Sequence, residues 1–279
     1  MKILITGHKG MLGTAVKAQL DEIGVKLEKF DYLGSYKEWL LAFDNLKAGM
    51  FDMILHIGSM VDSNLPETDD PNRLWQMNYL ATEWLGRLAR DRSAKFLFIS
   101  SYAAMDPTTP YGWSKRVAED MLRLILPERS LCILRPLSLW SWDEAGKREP
   151  SVVYKIMSRQ LPFVAKDCVR DFLYVKDAAK AISTLVNDWS AGTFELGLGE
   201  PIDLETFVRS IYKHLDDSFE MPPIVDHRLS GTRLVADPDR LPPGWTPTYG
   251  SVLRGDNPYM VALAMKELEH AKMHGDTGE

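Results

Sequence analysis

The stretch Lys2-Ile3-Leu4-Ile5-Thr6-Gly7-His8-Lys9-Gly10-Met11-Leu12-Gly13 decides the reading of this chain. A short β-rich run leads straight into three glycines, and Leu12, Val16 and Leu20 then fall on one face of a helix. In a strand, glycine turn and helix of this kind, Gly7 permits the tight turn and Gly10 lets a pyrophosphate approach the backbone. Gly13 lets the helix pack on the strand. The helix start adds free N–H groups and a positive dipole end. Gly7, His8, Lys9, Gly10, Met11, Leu12 and Gly13 are therefore candidate dinucleotide-binding residues. The spacing is G-x-x-G-x-x-G rather than G-x-G-x-x-G, and an ordinary βα turn is the competing reading.

Outward from this loop the first half alternates strands and helices. Val25 to Phe30, Met53 to Ile57, Phe96 to Ile99 and Leu131 to Leu134 read as strands, the last stopped by Pro136. Trp39 to Lys47, Leu74 to Arg92 and Tyr111 to Leu126 read as helices. Repeated β-then-α predicts an α/β fold, a Rossmann-like doubly wound parallel sheet with a smaller C-terminal substrate-binding cap domain. The expected dinucleotide-binding domain is 1–135 and the expected substrate domain 136–279. In the latter, helices are predicted at Ser151 to Arg159, Lys176 to Asn187, Leu204 to Leu215 and Tyr259 to His274. Roughly 170–190, with a strand at Phe172 to Val175, is expected to return to the first domain. Asp31 ends the second strand, where an acid would hold the adenosine ribose hydroxyls and select NAD. Lys9 could instead meet a 2′-phosphate, which leaves NADP open. Only about twenty residues separate Asp31 from Asp52; if a strand-helix unit is trimmed there, Asp31 belongs instead to the adenine-contacting loop.

Phe96-Leu97-Phe98-Ile99-Ser100-Ser101 predicts a buried strand ending in two hydroxyls, and Tyr111-Gly112-Trp113-Ser114-Lys115 follows soon after. Tyr and Lys at i and i+4 share a helix face. A free phenol titrates near ~10, and a neighbouring cation favours its phenolate. Such a tyrosine beside a nicotinamide is a proton donor and acceptor for hydride transfer, with a serine at the strand end polarising the substrate oxygen. Ser101, Tyr111 and Lys115 are the candidate catalytic residues, and the last two also border the cofactor.

Composition excludes other classes. A 45% hydrophobic and 26% charged chain is ordinary for a globular protein, which argues against disorder. Cys132 and Cys168 are too few for a disulfide framework or a four-cysteine zinc site. His8 and His56 lack a second ligand at a recognised spacing, so no metal is expected. The net charge of -6 argues against a nucleic-acid partner. No stretch approaches the ~20 apolar residues of a membrane span, and the first apolar run is too short for a signal peptide. The expectation is a cytoplasmic protein.

These motifs together resemble the extended short-chain dehydrogenase/reductase family, specifically its nucleotide-sugar epimerases, dehydratases and reductases. The match runs almost end to end. Thr6-Gly7-His8-Lys9-Gly10-Met11-Leu12-Gly13 is similar to the family's glycine motif, and Asp52-Met53-Ile54-Leu55-His56 to its fourth strand. The resemblance implies that Asn78, in Met77-Asn78-Tyr79-Leu80-Ala81-Thr82, steadies the active-site water and lysine. It implies that Ile57-Gly58-Ser59, in place of the usual small-residue turn, borders the cofactor. In Arg170-Asp171-Phe172-Leu173-Tyr174-Val175-Lys176-Asp177 the arginine would contact the phosphates of a nucleotide-sugar. Leu134-Arg135-Pro136, Gly192-Thr193-Phe194-Glu195-Leu196-Gly197 and Gly244-Trp245-Thr246-Pro247 are also similar to family segments. Relatives imply a homodimer through the helices near 74–92 and 111–126.

Departures from the pattern narrow the activity. Ser101 and Tyr111 are unusually close, which reduces one wall of the sugar pocket. Ser138 stands where many relatives have an asparagine touching the substrate. Tyr102, beside Ser101, is expected at the substrate, but Tyr102-Ala103 replaces the Asp-Glu pair of the 4,6-dehydratases. Removing water needs an extra acid and base, so dehydration is disfavoured. The resemblance implies C4 redox chemistry on a nucleotide-sugar, by epimerisation or 4-keto reduction. A reductase of a non-nucleotide carbonyl compound and a non-catalytic dinucleotide-sensing module are the alternatives.

Overall fold

The computed structural model describes residues 1–30, 41–43, 46, 49–60, 71–141, 150–215 and 220–247. Asp31, most of the predicted 39–47 helix and the predicted helix at 259–274 lie outside them. The chain divides into two units. The first comprises Met1–Pro136, Ala179–Leu196 and Pro242–Trp245, and the second Leu137–Ala178, Gly197–Leu241 and Thr246–Glu279.

The first unit is built on a parallel sheet. Its strands are β1 (Lys2–Thr6), β2 (Lys26–Phe30), β3 (Met53–His56), β4 (Lys95–Ile99), β5 (Leu131–Pro136) and β6 (Gly192–Leu196). Their spatial order is β6-β5-β4-β3-β1-β2. Strands covered on both faces are continuous apolar runs, and Ile3-Leu4-Ile5, Met53-Ile54-Leu55 and Phe96-Leu97-Phe98 are all fully buried. β2 carries Lys26, Glu28 and Lys29 and ends the described sheet, where charge guards an edge against further pairing. The order reverses between β1 and β3, so the loops after these strands flank the position where open α/β sheets bind ligands.

The helices of this unit are α1 (Met11–Glu22), α2 (Ala81–Arg92), α3 (Pro110–Ile125) and α4 (Val175–Asn187), the last crossing the unit boundary. α1 buries Leu12, Gly13, Val16 and Leu20, the face its spacing predicts. α3 starts at Pro110, whose missing N–H costs nothing in a first turn. The Thr109 hydroxyl caps it by accepting from the Gly112 N–H (3.1 Å).

The segment before α2 differs from the predicted single helix over 74–92. A helical turn at Pro71–Trp75 passes into a π-helical segment, Gln76–Leu80, before α2 begins. The wider turn accompanies a buried Asn78 whose amide finds partners outside the helix. A second difference concerns the outer strand of the sheet. Phe172–Tyr174 pairs with Ser138–Trp140 in the second unit, and the strand beside β5 is Gly192–Leu196. β5 also runs on through Pro136, which pairs at its end with Leu196.

The second unit holds small sheets around an apolar centre. Val169–Arg170 lies between Ile202–Asp203 and Arg233–Leu234, and Val164–Ala165 pairs with Ile224–Val225. Helix α5 (Leu204–Leu215) stacks Phe207 on Phe172. The buried Asp171 carboxylate accepts from the N–H groups of Leu198, Gly199 and Ala236, which joins three segments at one side chain. No helix among the described residues is long and apolar enough to cross a membrane.

Candidate active site

The glycine turn is close-packed at two of its three glycines. Gly7 has φ 69°, and a Cβ there would lie 2.5 Å from the Gly58 nitrogen. A Cβ on Gly13 would lie 1.9 Å from the Gly7 carbonyl oxygen, so the helix seats directly on the turn. Gly10 is different: its added Cβ would meet only the Gly7 oxygen, at 3.5 Å. No side chain caps α1 and no acid sits in its first turn. The start of α1 therefore lacks a side-chain cap and an opposing acid, which fits a pyrophosphate. His8 is half-buried and Lys9 exposed on this loop, while Ile57, Gly58 and Ser59, after β3, are half-buried beside it.

A buried relay links this loop to the π-helical segment. The Gly58 N–H donates to Thr6 Oγ1 (3.0 Å), which lies 2.7 Å from His56 Nδ1. His56 Nε2 lies 2.9 Å from Thr82 Oγ1, and that hydroxyl donates to the Asn78 carbonyl (2.7 Å). Thr82 thus accepts from Nε2–H, Nδ1 carries no proton, and the Thr6 hydroxyl donates to it. Burial, with help from the Lys115 charge, pushes His56 well below its ordinary value and keeps it neutral. The Asn78 side chain accepts from the Met60 N–H and donates to the Met60 carbonyl and Ser114 Oγ. Ser114 in turn donates to the Tyr111 carbonyl (2.8 Å). Asn78 therefore anchors α3 and the segment after β3.

The first unit brings Ser101, Tyr111 and Lys115 together. Ser101 follows β4 and accepts from the Ala103 N–H (3.2 Å), opening a short turn at Tyr102–Ala104. This turn folds tightly under α3, since a Cβ on Gly112 would lie 2.6 Å from the Ala103 oxygen. Burial pushes the Tyr111 phenol above its ordinary value, and the nearby Ser101 side chain works in the other direction. Lys115 is 1% exposed, donates to the Ile99 carbonyl (2.9 Å) and lies over the Phe98 ring (4.8 Å). Burial lowers it to about 7, against the opposing charge of Glu119.

Glu119 is a residue the sequence reading did not single out. It is fully buried and accepts from the Ser100 hydroxyl (2.6 Å), from Arg135 through two nitrogens, and from Arg123 (3.1 Å). Burial alone would raise it, but the bonds and charges of Arg135, Ser100 and Arg123 hold it below the usual carboxylate range.

Ser138 and Arg170 belong to the second unit. Ser138 is half-buried and its N–H donates to the Asp171 carbonyl (3.3 Å). Arg170 is 7% exposed; its guanidinium donates to the carbonyls of Val169 and Thr232 and to the Thr232 hydroxyl. Tyr102 is half-buried in the turn after Ser101. Asp31 lies outside the described residues.

Known proteins share both the sequence pattern and the fold. The model of the NAD dependent epimerase/dehydratase family matches residues 3–197. The ADP-L-glycero-D-manno-heptose-6-epimerase of Fusobacterium nucleatum is 24% identical, with 71% of this chain and 75% of that protein covered. The UDP-glucose 4-epimerase of Thermotoga maritima, solved with UDP-glucose, superposes with a TM-score of 0.77 at 19% identity, covering 96% of this chain and 99% of that one. The Thermus thermophilus UDP-glucose 4-epimerase, solved with NAD, gives 0.74 at 18% identity over 97% of this chain and 100% of that one. The glycine cradle and the matched model agree, and the chain belongs to the NAD dependent epimerase/dehydratase family.

Proposed function

We propose that this enzyme acts on a nucleotide-sugar by hydride transfer at C4, as an epimerase or a 4-keto reductase. The observation that carries the reading is a buried Lys115 one turn along α3 from a buried Tyr111 phenol that the Ser101 side chain acts on, at the sheet edge that also bears the glycine cradle. NAD, when bound, supplies the hydride acceptor and donor. Gly7 to Gly13 hold its pyrophosphate, and Ile57, Gly58 and Ser59 border it. Asp31 takes the ribose hydroxyls and so favours NAD over NADP. Tyr111 gives or takes the proton at the sugar oxygen, Ser101 orients that oxygen, and Lys115 keeps positive charge near the phenol. Asn78 holds the helix on which Tyr111 and Lys115 stand.

Substrate binding is assigned to Tyr102 in the first unit and to Ser138 and Arg170 in the second. The Arg170 guanidinium is a planar fork suited to phosphate oxygens. A heptose-6-epimerase and UDP-sugar 4-epimerases among the similar proteins support a nucleotide-sugar. Exposed Trp75, Trp113 and Leu124 on the 71–92 and 110–125 helical segments support a homodimer through them. The protein works in the cytoplasm. One observation favours a second reading, a reductase of a smaller carbonyl compound: Arg170 already serves Val169 and Thr232.

Mass spectrometry of the ligands carried by the purified protein, followed by incubation with ADP-, GDP- and UDP-sugars and NMR of the products, tests the proposal. The expected result is bound NAD and conversion of one sugar to its epimer or reduced form. Conversion only of a carbonyl compound without a nucleotide would replace the first reading by the second.

A further inference from the structure

α3 carries Tyr111, Lys115 and Glu119 at four-residue steps, so the three share one stripe of the helix. The third member is a carboxylate in the interior. Its oxygens are engaged by Ser100, Arg135 and Arg123, and it makes no ion pair with Lys115. Ser100 is the residue before Ser101, and its N–H donates to the Leu134 carbonyl beside Arg135 (2.7 Å). Three elements therefore converge on one anion directly behind the Tyr111–Lys115 pair.

We propose that Glu119 is a positioning residue of this site, a fixed buried anion held one turn behind Lys115 that keeps more of the lysine in its ammonium form beside Tyr111. The inference rests on the reading of Tyr111 and Lys115 as an acid–base pair. A buried ammonium with a single carbonyl acceptor is costly to keep charged. Burial drives Lys115 toward the neutral amine, and Glu119 is the opposing influence.

Among the described residues, Glu119 is the sole anion of the groups that face Lys115. On α3 these are Tyr111 and Glu119. β3 presents His56, which Lys115 itself helps keep neutral. β4 presents the Ile99 carbonyl and the Phe98 ring. Asn78 in the π-helical segment is uncharged, and Arg135 on β5 is bound to the Glu119 carboxylate. Arg123 and Arg135 bind Glu119 and weaken its field at Lys115, so they tune how strongly it acts.

The test is the titration of Lys115 itself, by NMR of protein labelled with 13C at lysine Cε, its signal assigned by loss in Lys115→Arg. Glu119→Gln should titrate at least one pH unit below the wild type, a tenfold change in the ammonium-to-amine ratio at a given pH. Arg123→Ala removes a half-exposed cation from the same carboxylate and should move Lys115 the opposite way. General damage to packing would not give shifts of opposite sign. An unchanged Lys115 in a folded Glu119→Gln protein, or a shift of the same sign in both, overturns the proposal. If Glu119→Gln does not fold, Arg123→Ala decides alone: an upward shift supports the role and none removes it. No turnover enters this measurement, so a failure of the nucleotide-sugar reading in product assays is distinguished from a failure here.

Discussion

Substituting alanine at Gly10 and at Gly13 should separate binding from folding within one turn of helix. At Gly13 the new Cβ would lie 1.9 Å from the Gly7 oxygen and 2.7 Å from the Gly7 carbonyl carbon and the His8 Cα. All three are backbone atoms, so the turn itself must move. Overpacking of that kind costs roughly 1–3 kcal/mol, sometimes more. At Gly10 the Cβ would make one ordinary contact at 3.5 Å, and φ -73° with ψ 170° suits any residue. A compatible Gly→Ala change gains roughly 0.4–1 kcal/mol from the unfolded chain. Alanine is a poorer helix cap by a similar amount, so the two effects offset to within about 1 kcal/mol. The space that the methyl fills is the space through which a pyrophosphate would reach the N–H groups of α1. Urea unfolding and NAD calorimetry on both variants check this. Gly10→Ala should unfold like the wild type and bind NAD at least ~10-fold more weakly, about 1.4 kcal/mol. Gly13→Ala should lose both stability and affinity. Wild-type NAD affinity in Gly10→Ala would refute the placement of the pyrophosphate against this loop.

Tyr111→Phe keeps the ring and removes the hydroxyl; turnover should fall by on the order of 10²-fold or more, with NAD calorimetry little changed. If Asp31 meets the ribose hydroxyls, NAD binds more tightly than NADP to the same preparation, and the reverse order in a direct titration would remove Asp31 from that place. Arg170→Ala should weaken nucleotide-sugar binding by roughly 1.5–3 kcal/mol, with lysine rescuing part. The melting temperature should also fall, because the carbonyls of Val169 and Thr232 lose a donor. The last expectation concerns pH. Lys115 is lowered to about 7 in the folded protein, against about 10.4 for a free lysine. Between those values the unfolded chain binds a proton that the folded chain does not, so this residue's contribution raises stability as pH rises through the window. Urea unfolding at several pH values should show a shallower rise in Lys115→Met.

Much of the first unit was legible because parallel strands covered on both faces must be apolar throughout, and runs such as Phe96-Leu97-Phe98 have no other use. The glycine turn was legible for a steric reason, since Gly7 and Gly13 sit against backbone that no side chain can share. β6 was obscured by its own composition. Gly192, Thr193 and Phe194 are half-exposed and only its last two residues are buried, so it lacks the apolar run that marked the other strands. The π-helical segment leaves the helical spacing nearly intact over five residues, and nothing in the apolar pattern marks it. Glu119 reads in sequence as a solvated helix acid. Its position on the Tyr111–Lys115 stripe and the arginine inside the otherwise apolar strand Leu131–Pro136 are the two signals that point inward together.

The relay through His56 couples the glycine turn to the segment that anchors α3. Each hydroxyl in it has one direction available: Thr82 gives its proton to the Asn78 carbonyl, so it must receive from Nε2, and Nδ1 must receive from Thr6. Thr6 then accepts from the Gly58 N–H, against whose nitrogen Gly7 is packed. A protonated imidazole would turn a second N–H on Thr6 and leave that hydroxyl proton to find another acceptor. The relay therefore needs a neutral ring, and the charge that helps keep it neutral belongs to Lys115. Both ring nitrogens are engaged by hydroxyls, so a metal could bind His56 only by displacing Thr6 or Thr82. The charged form of Lys115 therefore bears on the imidazole that ties the glycine loop to the segment holding α3 in place.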